Sequence, residues 1–215
     1  MRLLGMGSTP ENGPAYGSAV ELEVRCSGCG EFHVIGHDDP EVDVAVVPIA
    51  SQLNTGNIFY RALGPDQTFP KDQESEGLKA RTFESVLFVG YPAGLYDDHN
   101  ILPIARFGHL ATQLDLDYKG ESAFLIDAAV FGGSSGSPVF AYRRFQKNSG
   151  SSISFGDRPH LVGVLAAVHQ READFPVLPT ALAAKVSKEL GLGLVLKIEL
   201  VRKVAAKAKV HLGIE

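Results

Sequence analysis

A serine set among small residues is where this chain first suggests chemistry. From Asp127 to Val139 it reads Asp-Ala-Ala-Val-Phe-Gly-Gly-Ser-Ser-Gly-Ser-Pro-Val, and a strand is expected to resume at Ser137. A hydroxyl attacking a carbonyl needs backbone N–H groups aimed at the oxyanion it creates, and glycine lets the backbone approach in conformations closed to other residues. Ser135 is the nucleophile that this pattern offers, with the amides of Gly133 and Ser135 as oxyanion donors. A Gly/Ser-rich loop between two strands has the same composition, so the flanking residues must decide.

Asp43 is the second candidate. It heads Val44-Ala45-Val46-Val47-Pro48-Ile49, and a carboxylate entering an apolar strand costs several kcal/mol to bury unless it is paired. Orienting an imidazole would explain such a placement; the plain alternative is an exposed strand-start residue. Asp38 and Asp39 precede Pro40 and read as solvated. His33 and His37 are the histidines before Asp43, ten and six residues away. With Cys26 and Cys29 they have the residue types of a zinc site, but a structural finger separates its two pairs by about a dozen residues. No metal and no cofactor are expected. His99, His109, His160, His169 and His211 read as ordinary surface or half-buried rings, and Asp127 as structural.

Strands must position these groups. Val20, Leu22, Val24 and Cys26 alternate with Glu21, Glu23 and Arg25, the period of a half-buried strand. Ser27-Gly28 then turns the chain toward a partner over 31–35. Further strands are expected over 42–49, 85–91, 123–127, 137–142, 160–168 and 192–198, a regular spacing that suggests sheets closed into barrels. The polar stretches 65–80 and 143–158 read as exposed connections, the first as a boundary between subdomains. Helical patterns come late, over 179–190 before Gly191 and over 199–209, where Lys and Arg gather toward the C-terminal end. The second reads as a packed helix rather than a membrane-surface one.

Composition narrows the function classes. The net charge is −5 in 215 residues with 45% hydrophobic content, enough to bury a core and poorly suited to a nucleic-acid backbone, which clustered Lys and Arg would bind. No stretch approaches the roughly 20 apolar residues of a membrane span, and residues 1–16 lack an apolar signal core. Two cysteines cannot form a disulfide framework, which leaves the compartment open.

The nucleophile segment resembles that of trypsin-like serine peptidases, usually Gly, Asp or Asn, Ser, Gly, Gly or Ser, Pro. Asp127-Ala128-Ala129 resembles the bacterial Deg, or high-temperature-requirement, branch. On this resemblance Gly133 takes the first oxyanion position, Ser135 the nucleophile, and Pro138 the start of the next strand. Ser134 departs from the usual Asp or Asn; in animal-type members that Asp pairs with a new N-terminus, so no such activation switch is implied here. Leu161 to Val168 resembles the substrate-binding strand, which implies substrate contacts from Ala166, Ala167 and Val168. Val86 to Gly94 resembles the strand and turn opening the second barrel, and Arg106 to Ala111 the strand after it. Asp43-Val44-Ala45-Val46 resembles the segment bearing the triad acid.

The resemblance implies an all-β, two-barrel chymotrypsin-like fold. Residues 1–79 would be an incomplete first β-barrel carrying Asp43, and residues 80–215 a complete second β-barrel carrying Ser135 plus the late helices. Ala129 lies where members specific for basic side chains place an acid, so a small or medium apolar residue before the scissile bond is expected, in a protein or peptide substrate. The triad histidine is not matched: neither His33 nor His37 lies in the family's Thr, Ala or Asn, any residue, His motif. Three accounts stay open: a histidine upstream of Met1, a pseudopeptidase that has lost it, or a rearranged site using His33 or His37. The expected function is a serine endopeptidase domain that is weakly active or inactive as given. The alternative is a non-catalytic module that binds peptides or proteins.

Overall fold

The computed structural model describes residues 2–9, 13–23, 34–49, 53, 58–60, 62–64, 83–141, 145–147, 153–155, 159–174 and 185–213. In chain order the strands are β1 (Arg2–Ser8), β2 (Pro14–Glu23), β3 (Ile35–Gly36), β4 (Ala45–Val46), β5 (Ile58–Phe59), β6 (Ser85–Gly90), β7 (Ile104–Leu110), β8 (Ala123–Asp127), β9 (Pro138–Ala141), β10 (Phe145–Lys147), β11 (Ile153–Phe155), β12 (His160–Asp174) and β13 (Lys185–Lys197). Helix α1 (Ile198–Leu212) follows directly. The protein is mostly β, with one long helix among the described residues.

The centre is a closed six-stranded barrel in the order β12-β13-β8-β7-β6-β9, with β9 pairing both β6 and β12. Every pairing in it is antiparallel. Closure leaves the sheet no open edge. Along β6 the alternation is visible residue by residue: Val86 and Phe88 are fully buried, whereas Ser85, Leu87 and Val89 are half-buried. Phe124, Ile126, Val139, Val162 and Val195 fill the same interior from the other strands. Close packing of this kind, with few voids, makes each of these side chains costly to shorten.

The N-terminal part is built differently. β2, β1 and β5 form a three-stranded sheet, and β3 and β4 form a hairpin only two residues long on each side. That hairpin is held chiefly by side chains: Ile35 and Val44 pack with Val204 and Ala208 of α1, joined by Val42, Val46, Leu196 and Val201. α1 ends at Gly213, whose N–H returns to the carbonyls of Lys209 and Val210.

Several expectations are corrected. β2 pairs with β1, in the register Arg2↔Glu23 to Ser8↔Pro14; the turn expected at 27–28 and residues 31–33 of the partner expected over 31–35 lie outside the described residues, and Ile35 at the end of that partner pairs with Val46 of β4 instead. The strand expected over 42–49 shrinks to Ala45–Val46 because Val42 N–H donates to Asp39 O and Val44 N–H bends back to Val42 O. There is no helix over 185–190, and the rest of that run, 179–184, lies outside the described residues. Those residues extend β13, paired from Glu189↔Gln170 to Lys185↔Asp174, and ladder hydrogen bonds override a helical spacing of apolar residues. The polar connection 143–158 contains the hairpin β10–β11. The expected boundary at 65–80 lies outside the described residues.

Candidate functional site

Ser135 lies in the loop between β8 and β9, and backbone geometry fixes that loop before any side chain acts. Gly133 and Gly136 have φ of +82° and +86°, a region that glycine enters without the penalty a Cβ imposes. Short-range bonds then close it: Ser134 N–H to Phe131 O at 3.1 Å and Ser137 N–H to Ser134 O at 3.2 Å. Two further bonds tie it to β12, Gly136 N–H to Leu165 O at 2.7 Å and Leu165 N–H to Ser137 O at 2.9 Å. The nucleophile candidate is thus anchored to the strand that the sequence marked for substrate contacts.

The turn after β6 orients the first oxyanion candidate. Ala93 N–H donates to Gly132 O at 2.9 Å. Because a trans peptide is planar, with its C=O and N–H antiparallel, the Gly133 N–H faces away from that turn. Among the described residues neither the Gly133 N–H nor the Ser135 N–H donates to a protein acceptor. Both are therefore available to an incoming anion. Ala93 itself has φ of +50° and ψ of +28°, a left-handed conformation that costs a non-glycine residue about 1 kcal/mol or more and is commonest where function holds it in place.

The Ser135 side chain is exposed and its hydroxyl donates to Ala166 O at 2.8 Å. It opens on a cavity of about 330 Å³ bounded by Asp43, Val44 and Ala45 on one side and by Gly136, Val164, Leu165 and Ala166 on the other. Leu196 and Val201 complete the wall. The structure therefore brings Ser135, Asp43 and Ala166 to one cavity, although Asp43 and Ser135 lie far apart in the chain. Ala129 is exposed in the loop, and Ala167 and Val168 continue β12 opposite Leu194 and Gly193; the side chains of these two lie outside the described residues.

No histidine among the described residues lines the cavity. His37 sits at the β3–β4 hairpin, where its Nδ1 accepts from Asp39 N–H at 3.1 Å. His33, Cys26 and Cys29, three of the four residues of the zinc pattern, lie outside the described residues. Asp127 is exposed at the end of β8.

Arg106 is the site residue that sequence reasoning passed over. From β7 its guanidinium reaches Ser134 Oγ at 2.8 Å through Nη2 and Ala129 O at 2.7 Å through Nη1. Its carbon centre lies 4.5 Å from the ring centre of Phe88 and 6.0 Å from that of Phe131, within range of cation–π attraction. Burial pushes its pKa below the ordinary guanidinium range, yet a guanidinium stays charged in a protein. A basic residue in a strand usually reads as solvated surface. The one available signal was the serine at 134, where a charged or amide side chain had been expected.

Compared with known proteins, the chain matches no family model, no curated protein and no solved structure.

Proposed function

We propose that this protein carries a serine-dependent acyl-transfer site of the chymotrypsin-fold peptidase kind, with the closed barrel as the nucleophile-bearing second barrel and the strands that precede it as part of a first one. The supporting observation is the convergence of an exposed Ser135 hydroxyl, two undirected amides beside it, and Asp43 on the same cavity. In this reading Ser135 Oγ attacks a peptide carbonyl carbon, the carbonyl oxygen takes the electron pair, and the Gly133 and Ser135 N–H groups receive it. Collapse passes the proton lost by Oγ, carried by a base or water, to the leaving nitrogen, expels the neutral amine and leaves an acyl-enzyme that water hydrolyses to the free acid and Ser135. The cleft accepts a protein or peptide with a small or medium apolar side chain before the scissile bond, as the small Ala129 favours.

The hydroxyl proton needs a base. A carbonyl such as Ala166 O accepts a hydrogen bond without taking the proton, so Ser135 as it stands is a weak nucleophile. With no base beside Ser135 among the described residues, the site in this reading is weakly active or inactive. The same bond favours a second reading, a non-catalytic module that uses the cleft to hold peptides.

A fluorophosphonate probe with mass mapping tests the first reading. Slow modification of Ser135 in the parent chain and none in Ser135→Ala is the expected result. An unmodified parent chain that still binds an extended peptide would establish the binding module instead.

A further inference from the structure

We propose that Arg106 is the positioning residue of this site, holding the Gly133 and Ser135 amides in place by clamping the residue between them. This rests on reading Ser135 as the nucleophile. Ser134 is fully buried, and its hydroxyl accepts from Arg106 Nη2 while Nη1 of the same guanidinium holds Ala129 O. One planar fork therefore fixes the loop at two points, one before the Gly132-Gly133 turn and one within it. A lysine, with a single charged point, would not span both acceptors in a fixed geometry.

The clamp has a rigid base. Arg106 stands on β7 between β6 and β8, and its guanidinium is stacked on Phe88, itself fully buried in the barrel. Arg106 Nε is buried with no hydrogen-bond partner among the described residues, and a buried donor left unpaired is costly. Two other nitrogens of the same guanidinium offset that cost by bonding the loop, and shaping the loop is what those bonds do. Together with Ala93 N–H on Gly132 O, the guanidinium grips the loop from a second side.

The test compares the parent chain with Arg106→Met, Arg106→Lys and Ser134→Ala. Two quantities are followed: the rate of Ser135 modification by a fluorophosphonate, and amide hydrogen exchange read by NMR. Arg106→Met and Ser134→Ala should slow modification about 100-fold, the scale of a displaced reacting group. They should also speed exchange at the Ser134 and Ser137 amides about tenfold or more, with the Phe88 and Leu125 amides unchanged. Arg106→Lys should recover part of both. The proposal is overturned if Arg106→Met modifies at the parental rate with its loop amides still protected, or if exchange rises equally throughout the barrel, which would make Arg106 a stability residue only. A parent chain that resists the probe defeats the nucleophile reading alone, and the exchange rates at Ser134 and Ser137 then decide the clamp.

Discussion

The two walls of the cavity are made by opposite means. Ser135 is carried by a barrel whose backbone bonds close on themselves and whose interior is filled by Phe88, Phe124, Ile126 and their neighbours. Asp43 is carried by a loop running into a two-residue strand, kept in place because Val44 and its neighbours rest against α1. One side is fixed by hydrogen-bond topology and the other by a few apolar contacts with a helix. Geometry at Ser135 should therefore be robust, and geometry at Asp43 easy to lose.

The largest test of that contrast is Phe124→Ala, expected to cost about 3–5 kcal/mol as a fully buried aromatic is removed. Denaturant unfolding followed by fluorescence and by circular dichroism should show both regions lost together. Next comes Val204→Ala, at about 2 kcal/mol for two buried methyl groups. Exchange at the His37 amide, bonded to Val44 O, should accelerate while that of Phe88 holds steady. Equal acceleration at both would show one cooperative unit and break the comparison.

A smaller effect is expected where the regions join. Lys197 ends β13 and precedes α1, its side chain 10% exposed and 2.7 Å from a half-exposed Asp117. Asp117→Asn should cost about 1 kcal/mol in a denaturant titration, since the buried ammonium keeps a weaker partner.

The smallest effect is at Asp38, fully exposed and paired with Lys207, which also donates to Gly36 O. The hydrogen bond from Lys207, and then its charge, hold the Asp38 carboxyl below the ordinary 3.8. A depressed folded value stabilises above the ordinary carboxylate range and is lost as pH falls through it. Asp38→Asn should therefore lower the melting temperature slightly at neutral pH, converge with the parent below about pH 4, and differ less in high salt.

What the sequence disclosed follows the same division. Ala123 to Asp127 is an unbroken apolar run ended by a charge, and β8 has those bounds. The loop around Ser135 is legible because its glycines are required locally, at Gly133 and Gly136. β1 escaped notice because Gly5 and Gly7 interrupt its alternation, and its strand character comes from pairing with β2. The apolar run at 42–49 reads as a strand, but its valines satisfy a helix contacted through tertiary packing, which spacing along the chain does not encode. Arg106 was invisible for a similar reason: its partner is 28 residues away, and nothing near it in sequence distinguishes it from a solvated side chain.

The helix that supports Asp43 has a consequence for synthesis. On the ribosome the aspartate emerges long before residues 198–212 do, and the barrel strands emerge between them. Ser135 can settle into its loop while translation continues, whereas the opposite wall waits for a surface made after every barrel strand. Any chemistry that needs both walls is thus withheld from the nascent chain until that helix has folded back.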